Sequence, residues 1–206
     1  MIVITGGPSG GKTTLIEAIK KELGRDVKTV PEAASLLYRG GFPRAHSDVE
    51  MMRVQAAIYH VQEQLEGLVQ DQNRQSKSLI VCDRGSLDGL AYWPGGSRGR
   101  PSFFEFLKTT ETAEVKRYKW VLHLDTATAE TYETTNPLRI ETYEEAWSLN
   151  DRIKRAWANH PQRLIVPPNS DFFSKMALCL QLIRGIMSGD TYESLKSMLQ
   201  RTQPLP

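Results

Sequence analysis

The segment GGPSGGKT at residues 6–13 constrains this chain more than any other stretch of it. Its four glycines let the backbone take dihedrals that a Cβ would forbid, so that successive N–H groups can turn toward one point. Such a turn needs a strand to deliver it and a helix to leave by, and the flanks supply both. Ile2 to Thr5 is a short, continuously apolar and β-branched run, suited to a strand buried on both faces of a parallel sheet. TTLIEAIKKELG follows, with helical spacing at Leu15, Ile19 and Leu23 and a stop at Gly24.

The spacing is G-x-x-x-x-G-K-[ST], at Gly6, Gly11, Lys12 and Thr13. This Walker A, or P-loop, pattern arises by chance in roughly one chain in a hundred of this length. Its place between a strand and a helix makes it far more specific. Gly6, Gly7, Pro8, Ser9, Gly10, Gly11, Lys12, Thr13 and Thr14 are expected to cradle the phosphates of a nucleotide, ATP before GTP, a choice that the pattern itself does not make. The helix that begins near Gly11 adds the positive end of its dipole. Lys12 reaches the β- and γ-phosphates, and the Thr13 hydroxyl suits Mg²⁺.

The rest of the chain alternates strands and helices. DVKTV, SLIVCD, WVLHLD and RLIVP read as further strands. Pro31 opens a helix over EAASLLYR. Ser47-x-x-Glu50 has capping-box spacing and starts a long helix to about Arg74, with apolar residues at Val49, Met52, Ala56, Tyr59, Val61, Leu65 and Leu68. Ser102-x-x-Glu105 and Thr142-x-x-Glu145 start two more. DFFSKMALCLQLIRGIM is an amphipathic helix with Phe172, Met176, Leu180, Ile183 and Met187 near one face. The expected fold is α/β: a three-layer sandwich around a five-stranded parallel sheet, in one domain over 1–206 with a lid at about 126–141.

Composition adds exclusions. A net charge of +2 calls for neither nucleic acid nor an anionic membrane as partner. Cys82 and Cys179 sit in apolar runs, as buried thiols do. No CxxC or HExxH spacing suggests a zinc site. There is no signal-peptide pattern and no run near the roughly 20 apolar residues that span a bilayer, so a cytoplasmic chain is expected.

Ligands of open α/β sheets sit beyond the carboxyl ends of the strands. Glu32, Asp83, Arg84 and Asp125 fall there. Asp83 suits the Mg²⁺ shell, or else caps a turn. Arg84 suits charge on transferring phosphates, or else a salt bridge with a neighbouring acid. Glu32 suits a general base, or else simply favours a helix N-terminus. Arg139 suits a lid that closes on phosphates, or else is a solvated loop residue. Arg152 and Arg155 lie on an ordinary charged helix face, and Arg98 and Arg100 in a polar loop. His123 reads as a hydrogen-bonded core histidine, and Tyr92 and Trp93 as pocket or packing residues.

GGPSGGKTTL, VPEAA, VCDRGSLDGLAY and LRIETYEEAWSLNDRIKRAW together resemble the small ATPase/kinase group of P-loop proteins that includes the ribosylnicotinamide kinase domain, and their order is similar to that of deoxynucleoside kinases. The resemblance runs from Met1 to about Ile186. It implies Glu32 as the carboxylate after strand two, Asp83-Arg84 as the acid–arginine pair after strand three, and Arg139 as the lid arginine. It also implies Gln55 as a base-reading glutamine. Gly85 departs from it, because deoxynucleoside kinases usually carry Ser or Thr there. Lys12, Glu32, Asp83, Arg84 and Arg139 thus form the expected catalytic set, with Thr13 and Asp83 on Mg²⁺.

The expected function is transfer of the ATP γ-phosphoryl group to a hydroxyl of a small, nucleoside-like acceptor. The alternative is a regulatory P-loop ATPase or GTPase with no small-molecule acceptor; a nucleic-acid 5′-kinase and a kinase-like toxin stand further off. The N-K-x-D run of typical GTPases is lacking. Acceptor identity and oligomeric state are open from sequence.

Overall fold

The computed structural model describes residues 1–96, 102–130, 132, 142–169 and 171–201. Five strands, β1 (Ile2–Thr5), β2 (Val27–Val30), β3 (Leu79–Asp83), β4 (Trp120–Leu124) and β5 (Arg163–Val166), form one all-parallel sheet in the order β2-β3-β1-β4-β5. The helices are α1 (Lys12–Leu23), α2 (Ala33–Arg39), α3 (Asp48–Asn73), α4 (Phe103–Leu107), α5 (Glu111–Lys116), α6 (Tyr143–Ala156), α7 (Phe172–Ser188) and α8 (Tyr192–Arg201). A 3-10 turn, Ser86–Tyr92, follows β3 after Arg84 and Gly85. β1 lies at the centre, so the phosphate loop that follows it emerges where the strand order reverses, the usual place for a ligand in such sheets.

Strand periodicity divides the side chains between two faces. Ile2, Ile4, Val81, Leu122, Leu124, Leu164 and Val166 pack with Leu15, Ile19, Cys179, Leu182, Ile183, Leu195 and Leu199 of α1, α7 and α8. Val3, Cys82 and Val121 point the other way, onto Leu87, Leu149, Ile153 and Trp157. Burying a side chain of this size contributes about 1.5–3 kcal/mol, so each face is a substantial source of stability. Cys82 and Cys179 are buried free thiols.

The caps at Ser102 and Thr142 are full capping boxes. Ser47 accepts the Glu50 N–H, but the Glu50 carboxylate takes the N–H of His46 rather than that of Ser47, so only half of that box forms. One helix face is widened and another corrected: Met52, Ala56, Tyr59 and Leu65 of α3 pack inward as expected. On α3, Val49 and Leu68 are exposed, while Gln55, Tyr59, Gln62 and Glu66 are buried. The helix turns a polar stripe inward, because that side borders a cleft and a buried ion pair. On α7, Phe172 and Met187 are partly exposed, and the buried face runs instead through Met176, Cys179, Leu182, Ile183 and Ile186. α5 was not evident in the sequence.

Candidate active site

The phosphate loop is bounded by its own steric limits. A Cβ on Gly6 would lie 1.9 Å from the carbonyl oxygen of Leu124, and one on Gly7 2.2 Å from Thr126 Oγ1. Gly11, at φ 90°, caps α1 in a left-handed conformation that suits a residue without a Cβ. Two contacts hold the loop in place. The Gly7 N–H donates to Asn150 Oδ1 at 2.9 Å, and Lys12 Nζ donates to the carbonyls of Gly6 and Gly7 at 2.9 and 2.6 Å. Burial, followed by the nearby Arg84 charge, lowers the Lys12 ammonium to about 7, against the pull of Asp83, Glu32 and Asp88.

β2 and β3 bring Glu32 and Arg84 together beside the loop. Arg84 Nε donates to Glu32 Oε1 at 2.6 Å. Its Nη1 donates to Asp88 Oδ2 at 3.0 Å and approaches the Gly6 carbonyl at 3.4 Å. The ion-pair reading of Arg84 is therefore correct, and the same guanidinium also lines the cleft. Burial opposes its charge, but Tyr92, Glu32, Asp88 and Asp83 outweigh this and hold it well above the ordinary arginine range. Burial also raises Glu32, but Arg84, the Ser35 hydroxyl and Lys12 overcome it, so this carboxyl lies below its usual value. Asp83 lacks such compensation. Burial and then the Glu32 charge push it up, with Lys12 and Arg84 in opposition.

Arg84 sits at φ 68°, a left-handed conformation that costs a non-glycine residue about 1 kcal/mol. Its surroundings enforce it. The Arg84 N–H donates to the Ile4 carbonyl, Gln62 Nε2 to the Arg84 carbonyl, and the Ser86 N–H to the Tyr118 hydroxyl. Glu66 stands behind both of these supports. Its Oε1 accepts from Gln62 Nε2 at 3.0 Å and from the Tyr118 hydroxyl at 2.7 Å, and its Oε2 accepts from Arg117 Nη2 at 2.6 Å. Gly85 has a local reason as well: a Cβ there would lie 2.8 Å from both Trp157 and Val3, so serine or threonine does not fit.

Asp88, Asn150 and Trp157 were not singled out by sequence reasoning. Asp88 accepts from the Thr5 hydroxyl, from Trp157 Nε1 at 2.6 Å and from Arg84, and so ties β1, α6 and β3 together at the site. Asn150 joins the Gly7 N–H to Asp125, and His123 Nε2 lies 2.9 Å from the same amide oxygen. His123 is thus a buried, hydrogen-bonded histidine. Asp125 turns away from the cleft: burial raises it, and contacts with His123, Asn150 and Lys154 bring it down to about 2.

A cleft of about 1500 Å³ opens over these groups. Pro8 to Thr14 form one end of it, with Glu32, Asp83, Arg84 and Asp88 alongside. Tyr92 and Gln55 line it, whereas Trp93 is buried against Phe103 and Phe106 and belongs to packing. Among the described residues no group of three His, Cys, Asp or Glu could hold a metal. Mg²⁺ asks less of a protein, since it takes one or two side-chain oxygens beside phosphates and water. Thr13 and Asp83 line the same cleft as Lys12, and a hydroxyl with a carboxylate is the kind of donor pair that Mg²⁺ takes, so this donor set fits. Arg139, Arg98 and Arg100 lie outside the described residues, as does the lid beyond 130 apart from Tyr132.

A strand–glycine loop–helix cradle at the switch point of a parallel sheet defines a P-loop nucleotide-binding domain. The chain belongs to the AAA_28 family of AAA domains, whose model matches residues 1–175. Its fold is similar to that of deoxyadenosine kinase from M. mycoides, solved with bound dATP, with a TM-score of 0.57 over 89% of this chain and 98% of that one. Identity is 13%, so the likeness is one of fold, that of P-loop kinases. No curated protein sequence matches significantly.

Proposed function

We propose that this protein is an ATP-dependent kinase that transfers the γ-phosphoryl group to a hydroxyl of a small, nucleoside-like acceptor. The observation that carries this reading is the size and lining of the cleft. At about 1500 Å³ it exceeds the 300–1,000 Å³ of a typical single-ligand pocket, and it continues past the phosphate loop between α2 and α3. A hydrolase needs no such extension. The likeness in fold to a deoxyadenosine kinase supports the same reading.

In this mechanism the loop N–H groups and Lys12 hold the ATP phosphates, and Arg84 meets the charge that spreads over the transferring group. Thr13 and Asp83 would hold Mg²⁺, which supplies further positive charge to the phosphates. Glu32 accepts the acceptor hydroxyl as a hydrogen bond. Its lowered pKa makes it a weak base, which suits a loose transition state in which the proton leaves late. Arg139 remains the lid arginine of this proposal.

The test is incubation of the pure protein with Mg-ATP and a pool of nucleosides and polar metabolites, following ADP and new phosphorylated masses. A phosphorylated product is the expected result. ADP release that the pool does not alter would favour the regulatory NTPase instead.

A further inference from the structure

The two ends of the cleft differ in how their charges are partnered. At the inner end, Glu32, Asp83 and Asp88 surround Lys12 and Arg84, and these two cations already have protein partners. At the outer end Arg39 and Arg44 also line the cleft. Neither pairs with an acid among the described residues. The guanidinium carbon of Arg44 lies 3.9 Å from the centroid of the Tyr38 ring, a cation–π contact that holds the charge at the cleft. The nearby acid Glu50 is engaged by the His46 N–H.

Helical geometry gives the scale. Ser35, Tyr38 and Arg39 share one face of α2, at i, i+3 and i+4. Ser35 donates to Glu32, so this face starts at the carboxylate that receives the acceptor hydroxyl. Seven residues at 1.5 Å each place Arg39 about 10 Å further along. The ATP phosphates are served at the inner end, which leaves the outer cations without a role in binding them.

We propose that the outer end of the cleft is an anion subsite. Arg39 and Arg44 hold a carboxylate or phosphate that the acceptor carries about 10 Å from its reacting hydroxyl, roughly the length of a nucleoside. The acceptor is then an anionic nucleoside-sized molecule rather than a neutral nucleoside. This deepens the kinase reading and rests on it. A guanidinium held over a ring suits either anion, and the probes below separate the two.

The experiment is calorimetric titration of the full chain, loaded with Mg²⁺ and a non-hydrolysable ATP analogue. Matched pairs are compared: nucleosides whose bases differ only in carboxylate against carboxamide, and nucleosides whose bases differ only in phosphonate against its neutral diester. The anionic member of at least one pair should bind about tenfold more tightly or better. That preference should vanish in the Arg39→Gln/Arg44→Gln double variant, while affinity for the ATP analogue, which reports on folding, stays unchanged. The proposal is overturned if no anionic member binds more tightly than its neutral counterpart, or if the preference survives in the double variant. An intact anion preference with no transfer to any probe would instead count against the kinase reading alone.

Discussion

Ile2, Ile4, Leu122 and Leu124 leave one face of the sheet and meet α1, α7 and α8, whose buried side chains are nearly all hydrocarbon. Lys175, at the edge of the cleft, is the buried exception. Val3, Thr5, Cys82 and His123 leave the opposite face and meet a different interior. There Gln55, Gln62, Glu66, Asp88, Glu114 and Asn150 are all buried among the apolar groups. The first face can be satisfied by any well-packed set of hydrocarbons. The second has to satisfy donors and acceptors one by one, and those bonds end at Gly7, Arg84 and Ser86. Non-directional packing stabilises both sides, and on the second directional bonding also places the site.

This contrast can be tested by substitution. Leu182→Ala, fully buried on the hydrocarbon face, should cost about 4 kcal/mol in urea unfolding and leave the turnover of the folded fraction unchanged. A loss of turnover would mean that the two faces are coupled. Glu66→Gln should cost about 3 kcal/mol, since it leaves Arg117 half-paired, and should also slow turnover by releasing Gln62 and Tyr118 from their places behind Arg84. Stability lost with turnover intact would reduce Glu66 to a packing residue. Asp88→Asn should act mainly on the reaction, slowing transfer by about 30-fold, or roughly 2 kcal/mol, with KM for ATP little changed. The smallest effect concerns protons. Lys12 lies near 7, and a bound polyanion must raise it. Nucleotide binding at pH 8 should therefore take up as much as about one proton, and affinity should fall as pH rises above 7, by no more than about tenfold per unit. Calorimetry in buffers of different ionisation heat measures the uptake. Lys12→Arg, which does not titrate, should abolish it.

The hydrocarbon face was largely legible in the sequence, because a buried parallel strand writes itself as a continuous apolar run and β1, β3 and β4 do so. The phosphate loop was legible because its chemistry is local, eight residues in a fixed order. Asp88 and Asn150 were not. Asp88 meets Thr5 across 83 positions, and Asn150 meets Gly7 across 143, and no spacing rule reaches so far. α3 was read incompletely for a related reason: Met52, Ala56, Tyr59 and Leu65 do pack inward, but the polar residues beside them were missed. Apolar periodicity locates the side turned toward hydrocarbon, and α3 turns Gln55, Gln62 and Glu66 toward a cleft and an ion pair.

The two bonds from Lys12 to the carbonyls of Gly6 and Gly7 bear on how tightly and how briefly a nucleotide is held. To reach a phosphate, this ammonium must give up two oxygens that it already has. It exchanges partners, and its net contribution to affinity is smaller than its charge suggests. The same two carbonyls are there to take the side chain back when a nucleotide leaves. Together with an Asn150 amide that keeps Gly7 in place throughout, this describes a cradle suited to rapid exchange of its contents rather than to long retention.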